Sequence, residues 1–546
     1  MELNQSQDNR RDLYAQEGLR YMPKLLSMLD QNPLSATYGC GDRQYWLYKQ
    51  IDFPSGMYGE YALPLALVYC HPFPQNSFFN NEKIFNLIRA VITFQDQYGH
   101  RDGSVDDFFP YERALGACAF SLYTMAEAVR LTGMEDDCII SFLIRRARWI
   151  AQTDESGRLS NHQALAALAL AVTAKISGDK SLYLASKKFR DRVLSWQTEE
   201  GWFLEYDGCD PGYDTFTISF LSYLRKLTED DVLSAPLARA VHLAADLIGP
   251  DGSYGGEIGH RNSYHFLPHG FELLSSELEP ARFLSDLFLN TLENKTRSYL
   301  DENRTFCHYQ YNYLQSWIDY GERKEEINWQ QEQGLKIYKD AGLVRLRQAG
   351  RQLLMSSQKG GIFKVADTDG PLASDTGVVV REVGGKSGST TMSKNPDVEV
   401  LEDSIERIGI RVKSDITGLP NQILPTPVKF IIFRILNLTL GRINDDFFRR
   451  ILQRLLIKPQ RSWPISVSRT VYVLQRVIEV EDELISNAED VKLSEIMSST
   501  DLSAVFAASS NSWHGSRLFE WLDRKEAVIE FNKLGRAKFK RIWRLD

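Results

Sequence analysis

The strongest constraint on this chain is a unit that recurs. The stretches "RDGSVDDFFPYERALGACAFSLYTMAEAVRLTG", "ESGRLSNHQALAALALAVTAKISGD", "EEGWFLEYDGCDPGYDTFTISFLSYLRKLTED" and "PDGSYGGEIGHRNSYHFLPHGFELLSS" share one order: an acidic residue, a glycine, an irregular polar and aromatic run, then an apolar helix. Their glycines, Gly103, Gly157, Gly201 and Gly252, lie 54, 44 and 51 residues apart. A period of about 50 residues holds two helices and two loops, so the pattern predicts helical hairpins curling into a toroid or solenoid. Equivalent loops then share one face, and polar residues far apart in sequence become neighbours around one cleft.

At 546 residues the chain exceeds the size at which single cores stop growing, so two large domains are expected. Past residue 335 the texture changes to β-like runs: "AGLVRLRQAGRQLLMSSQKGGIFKV", "TGVVVREVGG", "IGIRVKS", "SRTVYVLQRVIEVEDELIS" and "KEAVIEFNKL". Apolar residues alternating with Arg, Gln and Glu predict antiparallel sheets with one solvated face, hence a β-sandwich. The expected architecture is α+β and multidomain: an (α/α) toroid over 1–330, then a β-sandwich over 331–546, with the boundary in "ERKEEINWQQEQG", 322–334. A helical insertion at about 425–461, "PTPVKFIIFRILNLTLGRINDDFFRRILQRLLIKPQR", interrupts the sandwich with eight Lys/Arg against two Asp on an apolar background. Packing against the sandwich or toroid is the preferred reading of it, with peripheral contact to an anionic membrane as the alternative.

A net charge of −8 gives no global case for nucleic-acid binding, so an anionic ligand must be met by a local site. Cys40, Cys70, Cys118, Cys138, Cys209 and Cys307 show no CxxC spacing and read as reduced core thiols. No run reaches the ~18 apolar residues of a membrane span. The polar start "MELNQSQDNRRDLYAQEG" lacks the apolar centre of a secretory signal, which predicts a cytoplasmic protein, with membrane association through the insertion as the alternative.

Taken alone, Asn161 reads as a helix N-cap and His162 as an ordinary first-turn residue. The repeat changes this, because it brings Tyr213, at the start of "GYDTFTISFLSYL", and Arg261, Asn262, His265 and His269, in "GHRNSYHFLPHG", onto the same face. His162, His260, His265, His269 and His308 all fall in these loops or the next helical stretch. Glu112 and Arg113 in "PYERA" read first as an internal ion pair fixing the cleft wall, and they stand with Asn262, His265 and His269 among the candidate substrate contacts. Trp46, Tyr48, Lys49 and Trp202 suit sugar-stacking or carboxylate subsites and equally suit buried core aromatics. Tyr254, in the fourth loop, joins the candidate substrate contacts.

The ordered set "NH", "GWFLEYDGCDPGY" and "DGSYGGEIGHRNSYHFLPHGFE", with "YWLYKQIDFPSG" and "DDFFPYERALGA" upstream, resembles the heparinase II/III-like and alginate-lyase-like polysaccharide lyases. By motif the resemblance covers most of residues 40–275. It implies a toroid joined to an antiparallel β-sandwich, no redox cofactor, and β-elimination at a uronic acid of an anionic polysaccharide or oligosaccharide. It further implies that Asn161 hydrogen-bonds the carboxylate, that His162 assists this neutralisation or acts as base, and that Tyr213 shuttles the proton. Arg261 is added as a second carboxylate contact, since a guanidinium grips a carboxylate through two N–H groups. Several members hold a metal in the β-domain through histidines; here that domain has only His514, so no metal site is expected. Two rival readings stay open: a uronyl carbon-5 epimerase of polysaccharide biosynthesis, and a catalytically silent carbohydrate-binding protein.

Overall fold

The computed structural model describes residues 2–155, 157–296, 302–321, 323, 329–392, 396–404, 406–419, 426–443, 448, 462–499 and 521–545. Parts of the expected 322–334 boundary, most of the second half of the 425–461 insertion, and His514 lie outside them.

Two kinds of helix build the first part. Leu115–Thr132, Ser160–Ser177 and Pro211–Thr228 are buried almost all round, whereas Glu82–Tyr98, Asp137–Gln152, Lys180–Ser195, Ser234–Leu247 and Glu279–Glu293 bury one stripe. Helices apolar on every side must be enclosed, and one-striped helices suffice to enclose them. Among the described residues the inner ring runs Ala62–Cys70, Leu115–Thr132, Ser160–Ser177, Pro211–Thr228, His269–Leu274 and Phe306–Ile318, and Phe306–Ile318 packs back on Ala62–Cys70. Phe306 packing at a tilt on Tyr61, ring centroids 5.6 Å apart, marks that closure. The amino-terminal helix Glu2–Arg20 lies outside it, with the Arg11 Nε donating to the Trp317 carbonyl at 2.7 Å.

The repeat glycines explain the spacing. Gly103, Gly157, Gly201 and Gly252 all have left-handed φ, +94°, +110°, +105° and +78°. A Cβ on Gly103 or Gly201 would fall 2.7 Å from Arg146 backbone and 2.6 Å from the Arg239 carbonyl oxygen, so each loop turns tightly against an outer helix. Gly39, at φ +90° and 2.3 Å from the Ala90 backbone by the same measure, begins a further copy of this unit that the sequence pattern did not expose.

After the toroid come two antiparallel sheets. Gly334–Tyr338, Leu343–Gln348, Arg351–Ser356, Ile362–Asp367 and Gly370–Asp375 form a meander in chain order. The larger sheet is ordered Trp521–Asp523, Leu493–Ser499, Val378–Glu382, Ser387–Ser389, Arg407–Gly418, Ser462–Leu474, Val477–Ser486, Arg536–Arg544, with Asp397–Asp403 also paired to Arg407–Gly418. Val344, Leu346, Leu353 and Met355 of the meander share a buried cluster with Ile410, Val412, Val471 and Val480 of the larger sheet, so the two pack face to face. Arg469 lies fully buried between Asp375 and Asp482, at 2.6 and 2.7 Å.

Four sequence expectations change. The alternate face of Leu343–Gln348 is not solvated: Arg345 and Arg347 are buried against the toroid, where Asp246 takes both at 2.8 and 3.3 Å. Pairing is what permits such cations inside. "KEAVIEFNKL" is the helix Lys525–Leu534 rather than a strand, burying Ala527 and Phe531 four positions apart. Cys138 is exposed, although Cys40, Cys118, Cys209 and Cys307 are buried and all six thiols are free. The insertion helix Pro427–Leu436 was expected to be covered, yet no residue in it is buried.

Candidate active site

Successive repeat loops are laced together. Ser160 at the start of its helix donates both its amide, at 3.2 Å, and its hydroxyl, at 2.7 Å, to the Leu204 carbonyl. The Tyr206 amide donates to the Arg158 carbonyl at 2.9 Å. Asp210 ties the second of these loops to the next: it caps Pro211–Thr228 by accepting the Tyr213 amide at 3.1 Å, accepts the Arg261 amide at 2.6 Å, and accepts the Ser263 hydroxyl. One buried carboxylate therefore sets the relative position of the Tyr213 and Arg261 backbones.

On this frame Asn161 is not an N-cap. The cap position belongs to Leu159, which offers no side-chain bond; the buried Asn161 amide instead donates to Glu205 Oε2 at 2.8 Å. Glu205 is buried, its Oε1 has no hydrogen-bond partner among the described residues, and burial pushes its carboxyl up to about 7 against the opposing pull of His162, Asn161 and Arg261. Next to it, the half-buried His162 donates from Nδ1 to Glu155 Oε1 at 2.9 Å. Burial favours the neutral imidazole, but the charges of Glu155 and Glu205 outweigh it and raise His162 above its usual value. Gly116 leaves room for that ring; a Cβ there would sit 2.7 Å from Cε1.

Arg261 lies with its guanidinium 4.0 Å from the centre of the Tyr206 ring. Tyr213 packs edge-on to His265, centroids 5.1 Å apart, and His265 Nδ1 is bonded to the Tyr309 hydroxyl. Phe216 joins the two sides, touching Tyr213, His265 and His308 at 5.9, 4.9 and 5.5 Å, while Phe120 lies 6.3 Å from both Phe216 and His162. Asn161, His162, Tyr213, Arg261 and His265 thus surround one patch. Beside it the surface dips into an open depression lined by Asp154, Glu155, Arg158, Arg192, Trp196 and Asp207.

The other candidates lie elsewhere or do other things. Glu112 and Arg113 are not an ion pair: Arg113 binds Asp102 at 2.7 Å, and Glu112 accepts the Asp107 and Phe108 amides at 3.1 and 2.7 Å, with burial pushing it up to about 7. Trp202 and Tyr254 are buried in the toroid core. His269 pairs with Asp319 at 2.8 Å and lies by Tyr223, about three helical turns along its helix from Tyr213. Trp46 is half-buried and donates to the Met28 carbonyl at 2.9 Å, while Tyr48 and Lys49 are exposed. Asn262 is buried and accepts Lys359.

Lys359, Glu205, Glu155 and Asp210 were not singled out from the sequence. Lys359 arrives from the turn between two meander strands, is fully enclosed, and donates to the Glu257 carbonyl at 2.7 Å as well as to Gly259 and Asn262 in the loop that carries Arg261. Burial holds its ammonium down at about 8. Glu205 stands in the repeat loop "GWFLEYDGCDPGY", where an acidic residue flanked by apolar and aromatic neighbours is the available signal; Lys359 offers none. No group of three or more potential metal ligands occurs among the described residues.

No model of a known protein family matches the chain, and no curated protein matches it in sequence. Solved structures do match in fold. The Streptomyces coelicolor A3 chondroitin AC lyase, in complex with chondroitin sulphate, superposes with a TM-score of 0.55 at 9% identity, over 90% of this chain and 68% of that one. The Paenibacillus xanthan lyase gives 0.53 at 10% identity over 99% of this chain, which spans only 57% of that enzyme. Heparinase III gives 0.52 at 11% identity, over 90% and 76% of the two chains. The chain therefore has the fold of polysaccharide lyases, an (α/α) toroid followed by an antiparallel β-domain.

Proposed function

We propose that the protein is a polysaccharide lyase of the heparinase II/III-like kind, cleaving a uronic-acid-containing polysaccharide or oligosaccharide by β-elimination. The observation that carries this is the Asn161–Glu205–His162–Arg261 grouping beside Tyr213. Elimination removes the proton on carbon 5, forms a double bond between carbons 4 and 5, and breaks the bond from carbon 4 to the glycosidic oxygen, which takes up a proton. The carbon 5 proton is weakly acidic, so negative charge growing on the adjacent carboxylate must be met by prearranged donors. Asn161 and Arg261 supply N–H groups of the required kind, and Glu205, able to hold a proton near neutral pH, adds a donor without adding negative charge. His162, held toward its cationic form by Glu155, suits the neutralising role better than that of base. Tyr213 is then the proton carrier, its phenol giving a proton to the leaving oxygen and its phenolate removing one from carbon 5.

Incubation with a panel of uronate polymers in heavy water tests this, read by ultraviolet absorbance and NMR. A new absorbing double bond supports the lyase. Deuterium at carbon 5 in an intact chain would assign an epimerase, and binding without either change a silent carbohydrate-binding protein.

A further inference from the structure

The helix Pro427–Leu436 is apolar with no buried residue, and the π turn Asn437–Gly441 that continues it buries Asn437 and Gly441 but leaves Leu438 and Leu440 exposed. Val428 is 66% exposed, Ile431 57% and Ile443 84%, with Phe430 and Ile435 similarly open. Only Phe433 and Arg434 are half-buried in the helix, and they fasten it. Phe433 meets Phe109 edge-on with centroids 6.0 Å apart, and Arg434 pairs with Asp52 and lies 5.7 Å from the centre of the Phe53 ring. A helix this apolar does not stay against water without an occupant for its outer face. Between Thr426 and Ile443 the sequence has three cations, Lys429, Arg434 and Arg442, and no acidic residue, in a chain whose net charge is −8. Lys429 and Arg442 are exposed beside the apolar residues.

We infer that this surface docks on an anionic lipid bilayer, the helix lying in the interface rather than crossing it. Apolar side chains enter the headgroup boundary while flanking cations meet anionic lipid. No helix among the described residues is long and apolar enough to cross a membrane. A second copy of the chain fits less well, because a two-fold contact would set this patch against itself and bring like charges together. The anchorage fixes which side of the protein faces lipid. Phe109 belongs to the loop whose Asp107 and Phe108 amides hold Glu112, and Asp107 also binds Arg304 at 2.7 Å. Docking would thus present that edge of the toroid to the membrane. The inference does not rest on the reaction proposed above.

The test uses the purified full chain and vesicles of phosphatidylcholine with or without phosphatidylglycerol, read by co-sedimentation. Binding is expected for the anionic vesicles at ~0.1 M salt and should be lost by ~1 M, as the screening length shrinks from about 10 Å to about 3 Å. Lys429→Glu with Arg442→Glu should weaken it about tenfold or more. Phe430→Ser with Ile431→Ser should do the same with an unchanged thermal melt, since both side chains lie in solvent. The wild-type comparison of anionic with neutral vesicles and of low with high salt stands even if a variant misfolds. Failure of the wild type to bind anionic vesicles at ~0.1 M salt would overturn the inference. So would binding that neither pair of substitutions alters, or self-association, by sedimentation equilibrium, that the apolar substitutions abolish.

Discussion

Asn161 donates a 2.8 Å hydrogen bond to Glu205, 44 residues away in sequence. The bond exists because neighbouring repeat loops are hydrogen-bonded edge to edge, and it takes Asn161 out of the capping role its position in the sequence suggested. Asn161→Ala is therefore not a capping loss. It leaves a second oxygen of a buried carboxyl without a donor, a cost of about 1–3 kcal/mol. Turnover should fall by much more than that loss of stability explains, provided the variant is assayed well below its melting temperature.

Glu205 makes a pH-dependent contribution of defined sign. Its folded value of about 7 lies above the ordinary glutamate range, so between the two the folded state holds a proton that the unfolded state has released, and stability falls as pH rises. His162, also raised, adds to the fall at higher pH. His260 and His308, held down at about 4 and about 3 mainly by burial, oppose it below the ordinary histidine range. Comparison of wild type with Glu205→Gln isolates one group: the amide cannot titrate, so the variant should be relatively more stable at pH 8 than at pH 5, by up to ~3 kcal/mol. Urea unfolding at the two pH values measures this, and parallel pH dependence in both proteins would remove Glu205 from the account.

Tyr213→Phe deletes one hydroxyl from a ring that keeps its contacts with Phe216 and His265. If Tyr213 carries the proton, turnover should drop on the order of 10²-fold or more, far beyond what any shift in the melt accounts for. Near-normal turnover would leave Tyr213 a packing residue.

Lys359→Met should disturb Arg261 from a distance. The ammonium donates to the Glu257 and Gly259 carbonyls and to Asn262, and its loss removes a buried charged donor shared by all three, costing about 3 kcal/mol. Affinity for the uronate ligand should weaken with it, because the Arg261 loop loses its clamp. Binding unchanged in a folded variant would show that Asp210 and the His260 amide bond to the Cys209 carbonyl hold the loop without Lys359.

The toroid was legible because its unit repeats: an apolar helix after each Asp/Glu–Gly loop sets both the period and the shared face, and Asn161, His162, Tyr213 and Arg261 could be placed together on that basis. The copy at Gly39 was hidden because its loop lacks the acidic residue just before the glycine. The ties that hold the site were illegible for a different reason. Glu205 and Asp210 act through backbone amides and a buried amide whose positions depend on loop geometry, and Lys359 comes from the β-domain about 100 residues from its partners. In the sandwich, alternation identified strands but not what covers each face, so the Arg345 and Arg347 side was mistaken for a solvated one. For Lys525–Leu534, β-branched residues outweighed a four-residue spacing that tertiary packing then used.

The repeat itself can be tested with two glycines that share a left-handed φ but differ in surroundings. Gly133, at φ +63°, closes the helix Leu115–Thr132 and has nothing within 4 Å of where a Cβ would stand. Gly133→Ala should therefore cost only the backbone strain, about 1–2 kcal/mol. Gly201, at φ +105°, would place its Cβ 2.6 Å from the Arg239 carbonyl oxygen, a backbone atom of an outer helix. Neither side can yield without moving the Lys180–Ser195 to Pro211–Thr228 connection or the Ser234–Leu247 helix. Gly201→Ala should thus exceed Gly133→Ala by ~1 kcal/mol or more. It should also lower ligand affinity, since the displaced loop carries Glu205, whereas Gly133→Ala should leave binding unchanged. Equal stability losses in denaturant titration would mean that the glycine positions do not set the contact between loop and outer helix.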